Sequence, residues 1–263
     1  MIGIGATLFK VPTMHGGAAF SPASLFSSGE EGSWYDPSDL TTLFQNSDGT
    51  GAPAVNGPIG YMADKSGNGN HAIQATSAKR PTLRQAGSLY YLEFFGAQGL
   101  ATSAIDFTGT NEMTVVSGAH KDIDATVVVA ELSPHVGQNN GAFRLASVVT
   151  DAWRYTSKGT NTINSSTAAD YAPPSTNVLT GITDIDGDVN KIRVDGVEKA
   201  SSTSDQGNGP FGNWTLNVGA RGNATSLFLD GRIYGLVVRG AESTAGEIAS
   251  TEAYMAAKTG VTL

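Results

Sequence analysis

Three short stretches of this 263-residue chain carry side chains in patterns that can do chemistry. In Trp153-Arg154-Tyr155, alternation along an extended segment puts both rings on one face. Sugar C–H faces stack on such rings, and a guanidinium orients hydroxyls or a carboxylate. The same alternation serves equally well to bury both rings in a core. Asp64-Lys-Ser-Gly-Asn-Gly-Asn70-His71 can offer the Asn70 amide and the His71 imidazole to a sugar, or can be a loop whose side chains bond their own backbone. Asp184-Ile-Asp186-Gly-Asp188-Val-Asn190 alternates carboxylates that can gather around Ca²⁺, or can be a hairpin with a solvated acidic turn. It departs from an EF-hand loop, because the glycine comes two positions early and Asp195 stands where a bidentate Glu belongs. His15, His120 and His135 stand alone, as surface residues would.

Several chemistries are absent. Glycoside hydrolysis needs two carboxylates about 5–10 Å apart. Glu93, Glu112 and Glu131 each lack a second acid two residues away, so catalysis is not expected. No G-x-S-x-G, H-E-x-x-H or phosphate-cradling glycine loop occurs. With no cysteine there are no disulfides, thiolate metal sites or cysteine nucleophiles. A net charge of −8 argues against nucleic acid, whose phosphates demand basic patches. No run of apolar residues is long enough for a membrane span, and Met1-Ile-Gly-Ile-Gly lacks the basic start of a secretory signal.

The elements that must position these residues read as strands. Thirty-three glycines, many Thr, Ser and Asn, and 15% charged residues describe a turn-rich all-β chain. Runs at 89–95, 113–116, 126–132, 142–149, 153–156, 178–185 and 191–194 are expected strands separated by turn signals, as in a sandwich. The clearest unit closes the chain. Leu216–Val218 and Leu227–Leu229 lead to an Asp230-Gly231 turn and a second strand, Arg232–Arg239. Ile233 and Val237 would lie on one face of that strand, with Tyr234, Leu236 and Val238 on the other. Such a strand belongs in the middle of a sheet covered on both sides. Thr244 and Glu247 predict a capping box, and Gly260 a C-terminal cap, around a short helix carrying Ile248 and Met255.

Two groups of residues carry a family resemblance. Leu216-Asn-Val-Gly-Ala, Phe228-Leu-Asp-Gly-Arg-Ile-Tyr-Gly-Leu-Val-Val and the helix from Glu247 to Gly260 resemble the close of a laminin-G-like domain. Trp34-Tyr-Asp-Pro-Ser-Asp-Leu-Thr-Thr-Leu-Phe-Gln, Asp64 to Ala72, Arg80-Pro81 and Leu92-Glu-Phe-Phe-Gly resemble members of that family in tailed-bacteriophage virions. The resemblance implies a concanavalin A-like antiparallel β-sandwich over 34–263, with a short C-terminal helix. It also implies a non-enzymatic virion structural protein, a head fibre, decoration protein or tail component, that binds host-surface glycans. Laminin-G-like domains often bind Ca²⁺, but no ligand set carries over. Glucanases of this fold place their acids as E-x-D-x-x-E, which is absent. The alternatives are a free-standing carbohydrate-binding module or bacterial adhesin and, further off, a glycan-cleaving enzyme.

Residues 1–33 differ from the rest, being rich in Gly, Ser and Ala yet scattered with Ile2, Ile4, Leu8, Phe9, Phe20 and Phe26. Two readings are open: an arm folded back on its own domain, or an anchor docking these side chains on another virion protein. Proteins of exposed phage fibres are often trimeric, so a homo-oligomer is expected, although no heptad specifies one.

Overall fold

The structure is a computed structural model and describes residues 20–160 and 163–263. Its strands in chain order are β1 (Gly32–Tyr35), β2 (Leu43–Phe44), β3 (Tyr61–Met62), β4 (Ala72–Ile73), β5 (Thr82–Ala86) and β6 (Leu89–Phe95). There follow β7 (Leu100–Asp106), β8 (Glu112–Lys121), β9 (Val127–Leu132), β10 (Ala142–Val148), β11 (Ala152–Lys158) and β12 (Ile163–Ala168). The last are β13 (Ser175–Asp184), β14 (Val189–Val194), β15 (Val197–Ser202), β16 (Asn213–Val218) and β17 (Asp230–Arg239), before the helix α1 (Ala245–Thr259).

They form two antiparallel sheets packed face to face. The first runs β15-β14-β13-β8-β17-β6-β5, and β1 pairs along the C-terminal half of β17. The second runs β12-β11-β10-β9-β16-β7-β4-β3-β2. Phe94, Phe143, Trp153, Tyr155, Leu216 and Leu236 are among the side chains filling the space between them. This is the all-β sandwich expected from the turn-rich sequence.

A second apolar layer lies outside the first sheet. Leu25, Phe26, Trp34, Val116, Val178, Val237, Met255 and Ala256 form it, beneath α1. Thr244 and Glu247 make the expected reciprocal capping box, and Gly260 ends the helix in the left-handed conformation. Close docking has a sequence cause, since Gly118 and Gly235 sit opposite each other on β8 and β17. A Cβ on Gly118 would lie 2.5 Å from Thr259 Cγ2, and one on Gly235 2.8 Å from Met255 Sδ. Glu252, 2% exposed, anchors the helix through Arg193 at 2.8 Å and Thr180 at 2.8 Å.

β17 is central and covered on both faces, as its composition requires. Two details differ from the sequence reading. Asp230-Gly231 is no turn but the first pair of residues in β17, opposite Phe95 and Phe94. Gly231 is needed there because a Cβ would meet the His120 carbonyl oxygen at 2.0 Å, and the chain instead turns through 221–226. A bulge between Ile233 and Gly235 also resets the alternation, so Ile233, Leu236 and Val238 share the sandwich core while Val237 faces the helix.

The N-terminal boundary moves as well. Pro22–Phe26 is a 3-10 turn, and Leu25 and Phe26 are buried beside Trp34, with Phe20 packed against them. From residue 20 the chain therefore belongs to the sandwich, not to an arm ending at 33. Phe20 and Phe26 are occupied in cis and cannot serve as free anchors. Ile2, Ile4, Leu8 and Phe9 lie outside the described residues.

Asp36 ties this segment to the helix. Its carboxylate accepts from Ser38 Oγ at 2.6 Å, Tyr254 Oη at 2.6 Å and Lys258 Nζ at 3.0 Å. Burial opposes its ionisation, but the hydrogen bonds from Ser38 and Tyr254 and the Lys258 charge together hold its pKa below the usual range. A depressed folded-state pKa contributes stability above the unfolded value and loses it as pH falls through the folded one. We expect the Asp36→Asn variant to melt lower than the parent at pH 7, with the gap narrowing below about pH 4. Parallel melting curves across that range would contradict this role.

Candidate functional site

The two outer faces of the sandwich differ in what covers them. α1 packs on β13, β8, β17 and β6, all in the first sheet. Among the described residues no helix packs on the second sheet; the loop after β9 lies over part of its outer face, where Glu131, Thr156 and Lys158 are buried, and the rest of that face is where a site can be built. Alternation fixes which side chains point there. Phe143, Leu145, Trp153 and Tyr155 face the core, so Arg144, Arg154, Thr156 and Lys158 face outward.

Cross-strand register assembles a polar row. Glu131, Arg144, Thr156 and Ser165 stand opposite one another across β9, β10, β11 and β12. Four strands at about 4.8 Å spacing make this row roughly 14 Å wide. The Ser165 hydroxyl donates to Thr156 Oγ1 at 3.1 Å. In the next outward row Arg154 faces Thr167, and its Nε donates to Thr167 Oγ1 at 3.0 Å.

Glu131 is fully buried and its charge is matched. Arg221 donates to it twice, Nε at 2.9 Å and Nη2 at 3.0 Å, and the Val136 amide donates at 2.8 Å. Arg144, its neighbour on β10, is not so provided. Its Nε is buried without a hydrogen-bond partner, and its guanidinium forms no ion pair with a described residue. Burial lowers its pKa, the Glu131 carboxylate pulls it back, and the charges of Arg221 and Arg154 lower it again. A guanidinium stays protonated through such a shift. A register shift between Leu145 and Ala146 directly follows Arg144, the kind of irregularity that re-aims a side chain.

The residues singled out from the sequence lie elsewhere. Trp153 and Tyr155 are both fully buried, so their faces are closed to a sugar. Trp153 donates Nε1 to Asn177 Oδ1 at 2.9 Å, and the buried Lys121 ammonium lies 4.9 Å from its ring centroid. The proposed platform is a piece of core, and of the three residues only Arg154 reaches the outer face. Asn70 and His71 sit in a self-bonded loop. Asp64 accepts from the amides of Trp34, Ser66 and Asn70, and the Asp64 amide donates to His71 Nδ1 at 3.1 Å. The Asn70 side chain donates to Glu31 Oε1 at 2.7 Å and to the Gly32 carbonyl at 2.8 Å, while the Asn70 backbone carbonyl accepts from the Tyr35 hydroxyl. That loop holds the chain entry in place and leaves little of either side chain for a ligand.

The acidic turn at 184–190 does not converge on a point. Asp184 accepts from the Gly187 amide and Asn111, Asp186 from the Gly209 amide and Asp188 from the Gln206 amide. Among the described residues, no three His, Cys, Asp or Glu side chains are grouped to hold a metal ion. The one exposed aromatic among them is Phe95 at the end of β6, with the Arg84 guanidinium over its ring. No described helix is long and apolar enough to cross a membrane.

Arg144, Glu131 and Arg221 were missed from sequence because nothing local marks them. Alternation alone puts Arg144 outward from a core strand, but its neighbours come from register, and Arg221 lies 90 residues from Glu131.

No protein-family model matches the chain, and no curated protein matches it. Solved structures do. One is the binding domain of botulinum neurotoxin serotype G, 12% identical with a TM-score of 0.57 over 74% of this chain and 49% of that one. Another is domain 4 of an extracellular arabinanase from Geobacillus stearothermophilus, in complex with arabinotriose. It is 13% identical, with a TM-score of 0.56 over 85% of this chain and 98% of that domain. Trypanosoma rangeli sialidase in complex with an inhibitor is 14% identical, with a TM-score of 0.52 over 76% of this chain. The chain spans about half the length of the neurotoxin domain and less than a third of the sialidase. At such identities the likeness is one of fold, a lectin-like β-sandwich.

Proposed function

We propose that this protein is a non-enzymatic glycan-binding module and that its helix-free second sheet carries the binding face. The observation that carries the reading is the outward row Glu131-Arg144-Thr156-Ser165 with Arg154 and Thr167 beside it, in which Arg144, Arg154, Ser165 and Thr167 reach solvent and no helix covers them. Sugars are recognised by such polar groups on a rigid strand scaffold. The arabinotriose complex of a similar domain supports the same direction. Against cleavage, Glu131 is the only carboxylate in β9 to β12 and is already held by Arg221, whereas hydrolysis needs two.

The finer reading is a component of a tailed-phage particle that displays this sandwich to host-surface glycans, as a homo-oligomer. It rests on the resemblance around Trp34–Gln45 and Asp64–Ala72. Residues 1–19, with Ile2, Ile4, Leu8 and Phe9, are the segment that would attach it to other virion proteins. Immobilised protein is expected to retain oligosaccharides from a mixed bacterial-surface and plant-polysaccharide panel, reversibly and unshortened. Retention of none, or release of shortened products, would overturn the reading.

A further inference from the structure

Charge on the second sheet runs against the rest of the molecule. The chain carries 24 acidic and 16 basic residues. Strands β9 to β12 hold one acid, Glu131, against Arg144, Arg154 and Lys158, and Arg221 joins them from the loop after β16. At physiological salt the field of distant charges fades over about 8 Å, so this local excess decides what approaches the face.

Within it the cations are not equivalent. Arg221 is spent on Glu131, Arg154 donates Nε to Thr167, and Lys158 donates Nζ to the Gly137 carbonyl at 3.3 Å. Among these four cations, Arg144 alone has no described hydrogen-bond or ion-pair partner: its Nε–H is buried and its two Nη groups are left for a ligand. Holding a part-buried charge without a counter-ion is costly, and binding an anion at the Nη groups is a use that offsets the cost. Glu131 does not provide that use, because its oxygens already take three donors.

We infer that Arg144 is the anion receptor of this face and that the sugar it takes bears a carboxylate. The inference rests on the glycan-binding reading and narrows its ligand class. The two Nη groups of a guanidinium form a planar edge that matches the two oxygens of a carboxylate. Bound there, the carboxylate gives the guanidinium a counter-ion, and the exposed Ser165 and Thr167 hydroxyls on β12 stand nearby for ring hydroxyls. Arg154, held by Thr167, adds positive potential without competing for the same oxygens.

Calorimetry on the full chain with two matched probe pairs tests this: trigalacturonate against its methyl ester, and sialyllactose against lactose. In at least one pair the acid should bind about 10- to 100-fold more tightly, the worth of a charge-assisted hydrogen-bond pair. Arg144→Gln should erase that preference while the melting temperature holds, and Arg144→Lys should restore only part of it. Lys199→Gln, at an exposed position on β15, should leave it intact. Equal affinity within both pairs, or an Arg144→Gln protein that keeps the preference, overturns the inference while neutral-sugar binding leaves the module reading standing. Binding to no saccharide overturns both.

Discussion

Replacing Trp153 with alanine should destabilise the domain by about 3–5 kcal/mol, a large part of the roughly 5–15 kcal/mol a domain possesses. The ring is fully buried between the sheets, and truncation leaves a cavity that its strand neighbours cannot collapse to fill. It also strips Asn177 of a donor to its side-chain oxygen and removes the ring surface facing the buried Lys121 ammonium. Asn177 in turn donates to Asp195 at 2.7 Å, so the loss spreads to the turn after β14. Denaturant titration is the measurement. A Trp153→Ala protein that kept its stability and lost only sugar retention would return Trp153 to a binding platform and contradict its place in the core.

The second large effect is expected at Arg221. Arg221→Met leaves Glu131 buried at 0% exposure without its counter-charge, and breaking one partner of such a pair costs about 3–5 kcal/mol. Its pH dependence identifies the cause. An uncompensated buried carboxylate has its folded-state pKa raised above the unfolded value, so the deficit is smallest at low pH and grows as pH rises through the unfolded carboxylate range. Adding Glu131→Gln should recover much of the loss at neutral pH, because the buried charge is then gone. A deficit that is flat with pH, or deepened by Glu131→Gln, would mean that packing of the Arg221 stem matters more than its charge. The variant also bears on recognition. Freed of Arg221, Glu131 can turn to Arg144, so Arg221→Met should weaken any preference for acidic sugars without touching Arg144.

The fold was far more legible than the site. Alternation in β8 to β11, β13 and β14 and the Thr244–Glu247 and Gly260 caps are local signals, and each corresponds to a real element, whereas the polar β12 gave no such signal. The error at Asp230-Gly231 arose because a turn dipeptide and a close backbone approach ask for the same residue. The wrong faces on β17 came from one inserted residue, which a periodic reading cannot detect. Phe20 and Phe26 looked like an arm because their partners, Val237 and Met255, lie over two hundred positions away in sequence. Trp153-Arg154-Tyr155 drew attention for its rings, yet only the residue between them faces outward. The receptor row needed three strand registers at once, and the partner of Glu131 sits in a loop beyond seven further strands.

The most direct test is to locate a retained sugar on the isotope-labelled full chain by backbone amide shifts during titration. Saturable shifts should concentrate at Arg144, Thr156, Ser165 and Thr167, and leave Asp64–His71 and the 184–190 turn unmoved. Shifts gathered on those loops or on the helix-covered first sheet would place binding elsewhere and contradict the second sheet as the recognition face.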